Sequence, residues 1–357
     1  DGTDFDFNFA HSGWCTPDFD ASDWKPVTVH PLDKSKLEPR SSAPVRVIRE
    51  FETKLSEHAG NIRVDLGQNI AGWLRIKVKA TAGSKLVARH AEVVEPNGDL
   101  HTAALRFARA SDGWIFAEDG EFTVEPKQTF HGFQYADLIV ETGSVEVLEV
   151  TGLAISSDLG IRGEIETSHS GINKLVSNTL WSLRDNFVSI PTDCPQRDER
   201  LGWTGDAQAF IYAANTLVDA DAFMRSWLRD MALEQRADGN IGIVVPNILD
   251  LQNGGPNMFT EHASTGWGDA VTIIPWALYQ SFGDKEVLRT QLPSMRKWVD
   301  YIFGMRDGEL FPQIMQLGDW LDPDAPEGQP WAAKVSGQFM ANAYMAHSVD
   351  LLARTED

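Results

Sequence analysis

At 357 residues the chain is long enough for two or three domains with cores of their own, which excludes a single small module. Its 31 Lys and Arg against 52 Asp and Glu give a formal net charge of -21, shared by both halves, and this excludes a surface made for nucleic-acid backbones or anionic membranes. No stretch approaches the roughly 20 apolar residues of a membrane span, and two cysteines, Cys15 and Cys194, supply neither a disulfide framework nor zinc-ligand spacing.

The first residue is Asp, with no charged and apolar leader behind it, so the natural start is read as removed. The expected molecule is soluble, and cytoplasm, periplasm and exterior are not distinguished. Residues 1–40 are rich in Asp and aromatics and include Asp18-Phe19-Asp20-Ala21-Ser22-Asp23-Trp24-Lys25-Pro26-Val27. They are read as the tail of an upstream β domain. The Asp-rich stretch lacks the spacing of an EF-hand loop.

From 41 to 165 the pattern has a period of two. Val45-Arg46-Val47-Ile48-Arg49-Glu50-Phe51 and Leu74-Arg75-Ile76-Lys77-Val78-Lys79 alternate apolar with charged residues, as half-buried antiparallel strands do. Turn signals at Ala82-Gly83-Ser84, Pro96-Asn97-Gly98-Asp99 and Glu118-Asp119-Gly120 separate such runs and predict an antiparallel β-sandwich or jelly roll. His90 and His131 fall in this context and are read as hydrogen-bonded histidines of the β core.

From 166 onward the period becomes helical. Ser170 is placed to cap a helix whose Ile172, Leu175, Val176, Leu180 and Leu183 share one face. Further helices are predicted at about 203–218, 220–237, 267–282, 284–306 and 336–354 from the same periodicity. Glycine stops such as Gly283 and Gly308 close several of them. The long, Gly- and Pro-rich connections, Asn253-Gly254-Gly255-Pro256-Asn257 among them, are where a site would be built on such a scaffold.

The densest chemistry lies between two helices. Asp193-Cys194-Pro195-Gln196-Arg197-Asp198-Glu199-Arg200-Leu201-Gly202-Trp203-Thr204-Gly205-Asp206 holds four carboxylates and two guanidiniums in fourteen residues. Pro195, Gly202 and Gly205 prevent one regular helix. Packing does not require so many acids, whereas glycoside hydrolysis does: it needs an acid at the leaving oxygen, carboxylates that raise its pKa, and an aromatic wall for the sugar. The 12 Trp against 5 Tyr suit sugar faces as well as cores. The competing reading is a solvated, salt-bridged interhelical loop.

This segment resembles the signature of the α-L-rhamnosidases of glycoside hydrolase family 78. Asp65-Leu66-Gly67-Gln68-Asn69-Ile70-Ala71-Gly72-Trp73, Phe130-His131-Gly132-Phe133-Gln134-Tyr135, Gly266-Trp267-Gly268-Asp269-Ala270 and Gly318-Asp319-Trp320-Leu321 are similar to segments of that family in the same order. The resemblance implies a concanavalin-like β domain over 41–165, then over 166–357 the first half of an (α/α)6 barrel. It implies Glu199 as general acid, Asp193 and Asp206 as its acidic partners, and Arg197, Asp198, Trp203, Trp267, Trp320 and Asp319 as sugar-binding residues, with Asp269 a weaker candidate. No metal or organic cofactor is implied.

About six helices are read where the family has twelve, and the family's general base has no counterpart here. The rest of the barrel, and that base, are therefore expected from the remaining polypeptide or from another chain. The implied activity is inverting hydrolysis of terminal α-L-rhamnosyl groups. Two alternatives stand beside it: another inverting glycosidase on an α/α barrel, and a non-catalytic rhamnose-binding protein whose acids only hydrogen-bond hydroxyls. Glu261-His262 is read as loop surface near the pocket, and Asp322 and Asp324, beside Pro323, as turn formers.

Overall fold

The computed structural model describes residues 2–256, 261–329 and 332–357, with the Asn253 side chain left aside. Asn257, in the glycine-rich connection noted above, lies outside the described residues. The chain divides into two compact units: Gln196–Asp198 group with residues up to 41 and 47–155, and the remainder forms the second.

Among the described residues nine strands, nearly all within the first unit, make one curled sheet: β1 Asp4–Asp6, β2 Val45–Glu52, β3 Lys54–His58, β4 Asn61–Ala80, β5 Lys85–Ala91, β6 Ser111–Ile115, β7 Gly120–Val124, β8 His131–Thr142 and β9 Val145–Ser157. The path runs β1-β6-β5-β8-β4-β9-β2, with β3 and β7 also on β4. β4 is the organiser, because its first half pairs β3 and β8 and its second half pairs β7 and β9.

A register shift between Asp65 and Ile70 separates the two halves, as a bulge that bends a strand does. Gly67 supplies a φ of +66° there, and its N–H donates to the Asp65 carboxylate at 2.7 Å. Gly72 has no alternative, since a Cβ would meet the Leu153 carbonyl oxygen at 1.8 Å. The expected period of two is visible in burial: Leu74, Ile76, Val78 and Ala80 are buried along β4, and Leu86 and Ala88 along β5.

His90 and His131 lie in this core with no exposure. His131 Nε2 bonds Asp112 at 3.0 Å and His90 Nδ1 bonds the Ala110 carbonyl at 3.0 Å. The two rings stack at 4.3 Å with planes 16° apart. Each keeps one buried nitrogen, His90 Nε2 and His131 Nδ1, without a hydrogen-bond partner among the described residues.

The second unit holds seven helices among the described residues: α1 Ser170–Asn186, α2 Thr204–Leu217, α3 Asp221–Glu234, α4 Ile248–Asn253, α5 Ala270–Phe282, α6 Glu286–Gly304 and α7 Gly337–Glu356. Leaving aside the short α4, α2 packs on α5, α3 packs on α5 and α6, and α6 packs on α7. The central helix α5 packs against α2, α3, α6 and α7. Its sequence AVTIIPWALYQSF is apolar around most of its circumference, as a helix with neighbours on all sides must be. Trp227, Trp298, Phe223 and Ile274 fill the core between the helices.

Two local expectations are corrected. The cap of α1 is His169, whose Nδ1 accepts from the Gly171 N–H at 3.1 Å, and Ser170 is the first helical residue. Ile172 and Leu175, expected on a buried face, are 46% and 64% exposed, because no described helix covers the first turns of α1.

Candidate active site

The chain leaves α1 through a two-residue ribbon, Phe187–Val188 against Ile190–Pro191, and enters the acidic loop that ends at α2. Both ends of the loop are pinned. At its entry the Thr192 N–H and hydroxyl both donate to the Asn186 carbonyl, at 3.0 and 2.9 Å. At its exit the Thr204 N–H donates to the Ile243 carbonyl at 2.9 Å, and Trp203 bridges to Val244. Gly202 is required where it stands, since a Cβ would meet the Val245 carbonyl oxygen at 2.2 Å.

Within the loop, Asp193 reaches across to Leu201. Its N–H donates to the Leu201 carbonyl at 3.1 Å, and its carboxylate accepts the Leu201 N–H at 3.0 Å. This brings Glu199, two residues before Leu201, back onto Asp193: carboxylate oxygens of both, and the Cys194 sulfur, lie within 4.8 Å of one another. The Cys194 thiol hydrogen-bonds the Asp193 carboxylate.

Asp206, in the first turn of α2, completes the group. Asp193 and Asp206 line a cleft of about 280 Å³ whose other walls include Phe187, Pro191, Ala207 and Phe210.

The electrostatics follow from crowding. Burial pushes the Asp193 carboxyl above the usual carboxylate range, and the nearby Glu199 charge adds to the push. Asp206 is pushed up to about 6, first by loss of hydration and then by repulsion from Asp193 and Glu199. Its residue surface remains exposed, so this dehydration is that of a concave wall and not of a sealed core. The helix N-terminus beneath Asp206 favours its anion and is outweighed.

Trp203 and Trp267 are half-buried and pack against a small cluster of Ile243, Val244 and Leu317. The Trp267 indole rests on Gly205, where an added Cβ would lie 2.7 Å from its Nε1. Both indole N–H groups are buried without an acceptor among the described residues. Leu317 leads into the turn that carries Asp319, half-buried, and Trp320, which is 41% exposed. Trp320 thus keeps a face open to solvent.

Arg197 and Asp198 group with the first unit, and Glu261 and His262 are exposed. Asp269 is fully buried and presents no surface to a ligand. Sequence reasoning passed over Cys194, whose thiol lies inside the acidic group. Its signal was its place next to Asp193.

Among the described residues, two sets of side chains have metal-ligating atoms close together: Asp193, Cys194 and Glu199, and His90, Asp112 and His131. In the second set the stacked imidazoles hold their in-plane lone pairs nearly parallel, so these cannot converge on one ion as metal ligation requires. In the first the thiol is engaged with Asp193.

Two domain models of one family match in tandem: the bacterial α-L-rhamnosidase concanavalin-like domain over residues 56–156 and the bacterial α-L-rhamnosidase 6 hairpin glycosidase domain over residues 161–356. The chain belongs to the bacterial α-L-rhamnosidase family. It is 38% identical over 356 residues to an α-L-rhamnosidase of Streptomyces avermitilis, covering 99% of this chain and 33% of that protein. To one of Formosa agariphila it is 36% identical, covering 100% and 38%.

Among solved structures, the native α-L-rhamnosidase of Aspergillus terreus superposes with a TM-score of 0.90 at 38% identity, covering 99% of this chain and 41% of that one. The Streptomyces avermitilis enzyme complexed with L-rhamnose gives 0.85 at 37%, covering 99% and 33%. This rhamnosidase-family chain therefore spans between a third and about two fifths of the length of these relatives. Its seven described helices all fall within the span matched to the six-hairpin glycosidase domain.

Proposed function

We propose that the chain carries the general-acid side of an α-L-rhamnosidase that hydrolyses terminal α-L-rhamnosyl groups with inversion. The observation that carries this reading is the convergence of Glu199 on Asp193 beside a cleft that Asp193 and Asp206 line. Glu199 protonates the departing glycosidic oxygen. Asp193 and Asp206 hydrogen-bond sugar hydroxyls and hold negative potential around the anomeric carbon, where positive charge develops in the transition state. Trp203, Trp267, Asp319 and Trp320 form the sugar-binding walls.

The base belongs on the opposite face of the sugar, on residues outside 1–357. Inversion needs roughly 6.5–9.5 Å between the two carboxyls to admit a water. Asp193 and Glu199, within 4.8 Å of each other, are too close to be that pair. Their spacing is nearer the about 5–5.5 Å of a retaining pair, and this favours, as a second reading, Asp193 as a nucleophile.

The first product decides between them. With nitrophenyl α-L-rhamnoside and the complete polypeptide, proton NMR in the first minutes shows β-rhamnose for inversion and α-rhamnose for retention. Rhamnose binding without release would leave the sugar-binding reading, and turnover of another nitrophenyl glycoside would move the substrate class.

A further inference from the structure

The motif Gly266-Trp267-Gly268-Asp269 carries one residue that faces the acidic loop and one that is fully buried. The buried Asp269 carboxylate accepts three hydrogen bonds: from the Gly266 N–H at 2.7 Å, from the Trp298 indole N–H at 3.0 Å, and from the Ser348 hydroxyl. These donors come from its own turn, from α6 and from α7. We infer that Asp269 is a positioning residue for substrate binding: through Gly266 and Trp298 it fixes where the Trp267 indole rests on Gly205, one residue from Asp206.

The neighbours fit this role one by one. Gly266 adopts a φ of +82°, a backbone state disfavoured for side-chain-bearing residues, and its carbonyl accepts from the Gln208 amide of α2. Gly268 lies flat under Trp298, where a Cβ would approach the ring to 2.3 Å. Gln316 grips the preceding residues, its carbonyl accepting the Thr265 N–H and hydroxyl at 2.9 Å each and its amide donating to the Ala263 carbonyl at 2.8 Å. The turn is thus tied to α2, α6, α7 and the Gln316 segment, and Trp267 is the side chain those ties aim.

An acceptor-only group is needed at 269. An Asn there would turn an NH2 toward at least one of three donors, and a buried carboxylate is tolerated because all three are present. Burial raises the carboxyl's pKa while the three donors oppose that rise, so the ionised form depends on the same bonds that hold the turn.

The inference rests on the proposed rhamnosidase reading for its kinetic arm only. In the complete polypeptide, Asp269→Asn is expected to raise KM for a nitrophenyl α-L-rhamnoside about tenfold with kcat within about threefold, because Trp267 is displaced while Glu199 is not. Amide exchange should accelerate within residues 263–269. Ser348→Ala removes one donor and should raise KM by about two- to threefold, a smaller version of the same split.

A purely structural Asp269 would lower the folded fraction, so that kcat falls and KM stays. That result, or unchanged exchange in 263–269, overturns the inference. If Asp269→Asn does not fold, an unchanged KM in Ser348→Ala overturns it alone. If the wild-type protein releases no rhamnose, the function proposal has failed and the exchange measurement still decides the positioning.

Discussion

Glu199 and Asp193 converge because Asp193 bonds Leu201 through both its main chain and its carboxylate, a closure that a residue list does not display. Asp206 gives this crowding a measurable sign. Its pKa is about 6 in the folded chain against an ordinary 3.8, so between those values the folded state holds a proton that the unfolded state has released. The stability this contributes is complete below about pH 4 and is lost as pH rises through about 6. Asp206→Asn, which needs no proton to be neutral, is therefore expected to raise the melting temperature at about pH 7.5 and to leave it unchanged near pH 4, while lowering activity. A stabilisation confined to acid pH would contradict the crowding. The acids themselves were legible, since four carboxylates in fourteen residues stand out in the sequence. The role of Asp269 was not, because its donors Trp298 and Ser348 lie far along the chain and meet it only when α5, α6 and α7 pack.

The strands were legible as elements because alternating burial writes a period of two into the sequence, as β4 does over Leu74, Ile76 and Val78. The bulge at Asp65–Ile70 and the partners of β4 are long-range facts and were not. Inside that sheet the stacked His90 and His131 make a second prediction. Burial lowers the His90 pKa from 6.5 to about 3, with the neighbouring His131 charge adding to it. The unfolded chain binds a proton at this site below about pH 6.5 and the folded chain does not, so stability falls as pH drops toward 3, by at most about 1.4 kcal/mol per pH unit for this one group. In His90→Phe, urea unfolding of the β unit should lose part of its dependence between about pH 6 and 4. An unaltered slope would show that other groups set it. Among the helices, Gly205 is the point of α2 on which the Trp267 indole rests. Gly205→Ala drives a Cβ into Trp267, and rhamnoside KM should rise by about tenfold or more while the fold, read by far-UV circular dichroism, persists. Unchanged KM would remove Trp267 from the sugar wall.

At the scale of the helical unit, the described helices leave apolar surface that further helices of a six-hairpin domain would cover. A groove of about 410 Å³ lies between α1 and α2, lined by Leu175, Val176, Tyr212 and Ala213, and Phe339 of α7 is 67% exposed. Helical periodicity alone marked the Ile172 and Leu175 face as apolar, but it could not say what covers it. Residues 1–357 in isolation are expected to bind an apolar dye such as ANS, to associate at micromolar concentration and to release no rhamnose. A cooperative melt without dye binding, together with rhamnose release, would place the base within this chain and make Glu261 the first residue to replace. Whether Glu199 hands its proton to the leaving oxygen is read most directly from kcat/KM of Glu199→Gln in the complete polypeptide on nitrophenyl and alkyl α-L-rhamnosides. The expected loss is on the order of 10²- to 10⁴-fold for the alkyl rhamnoside, whose alkoxide needs the proton, and much smaller for nitrophenolate, which leaves without it. Equal losses on both substrates would contradict that proton transfer.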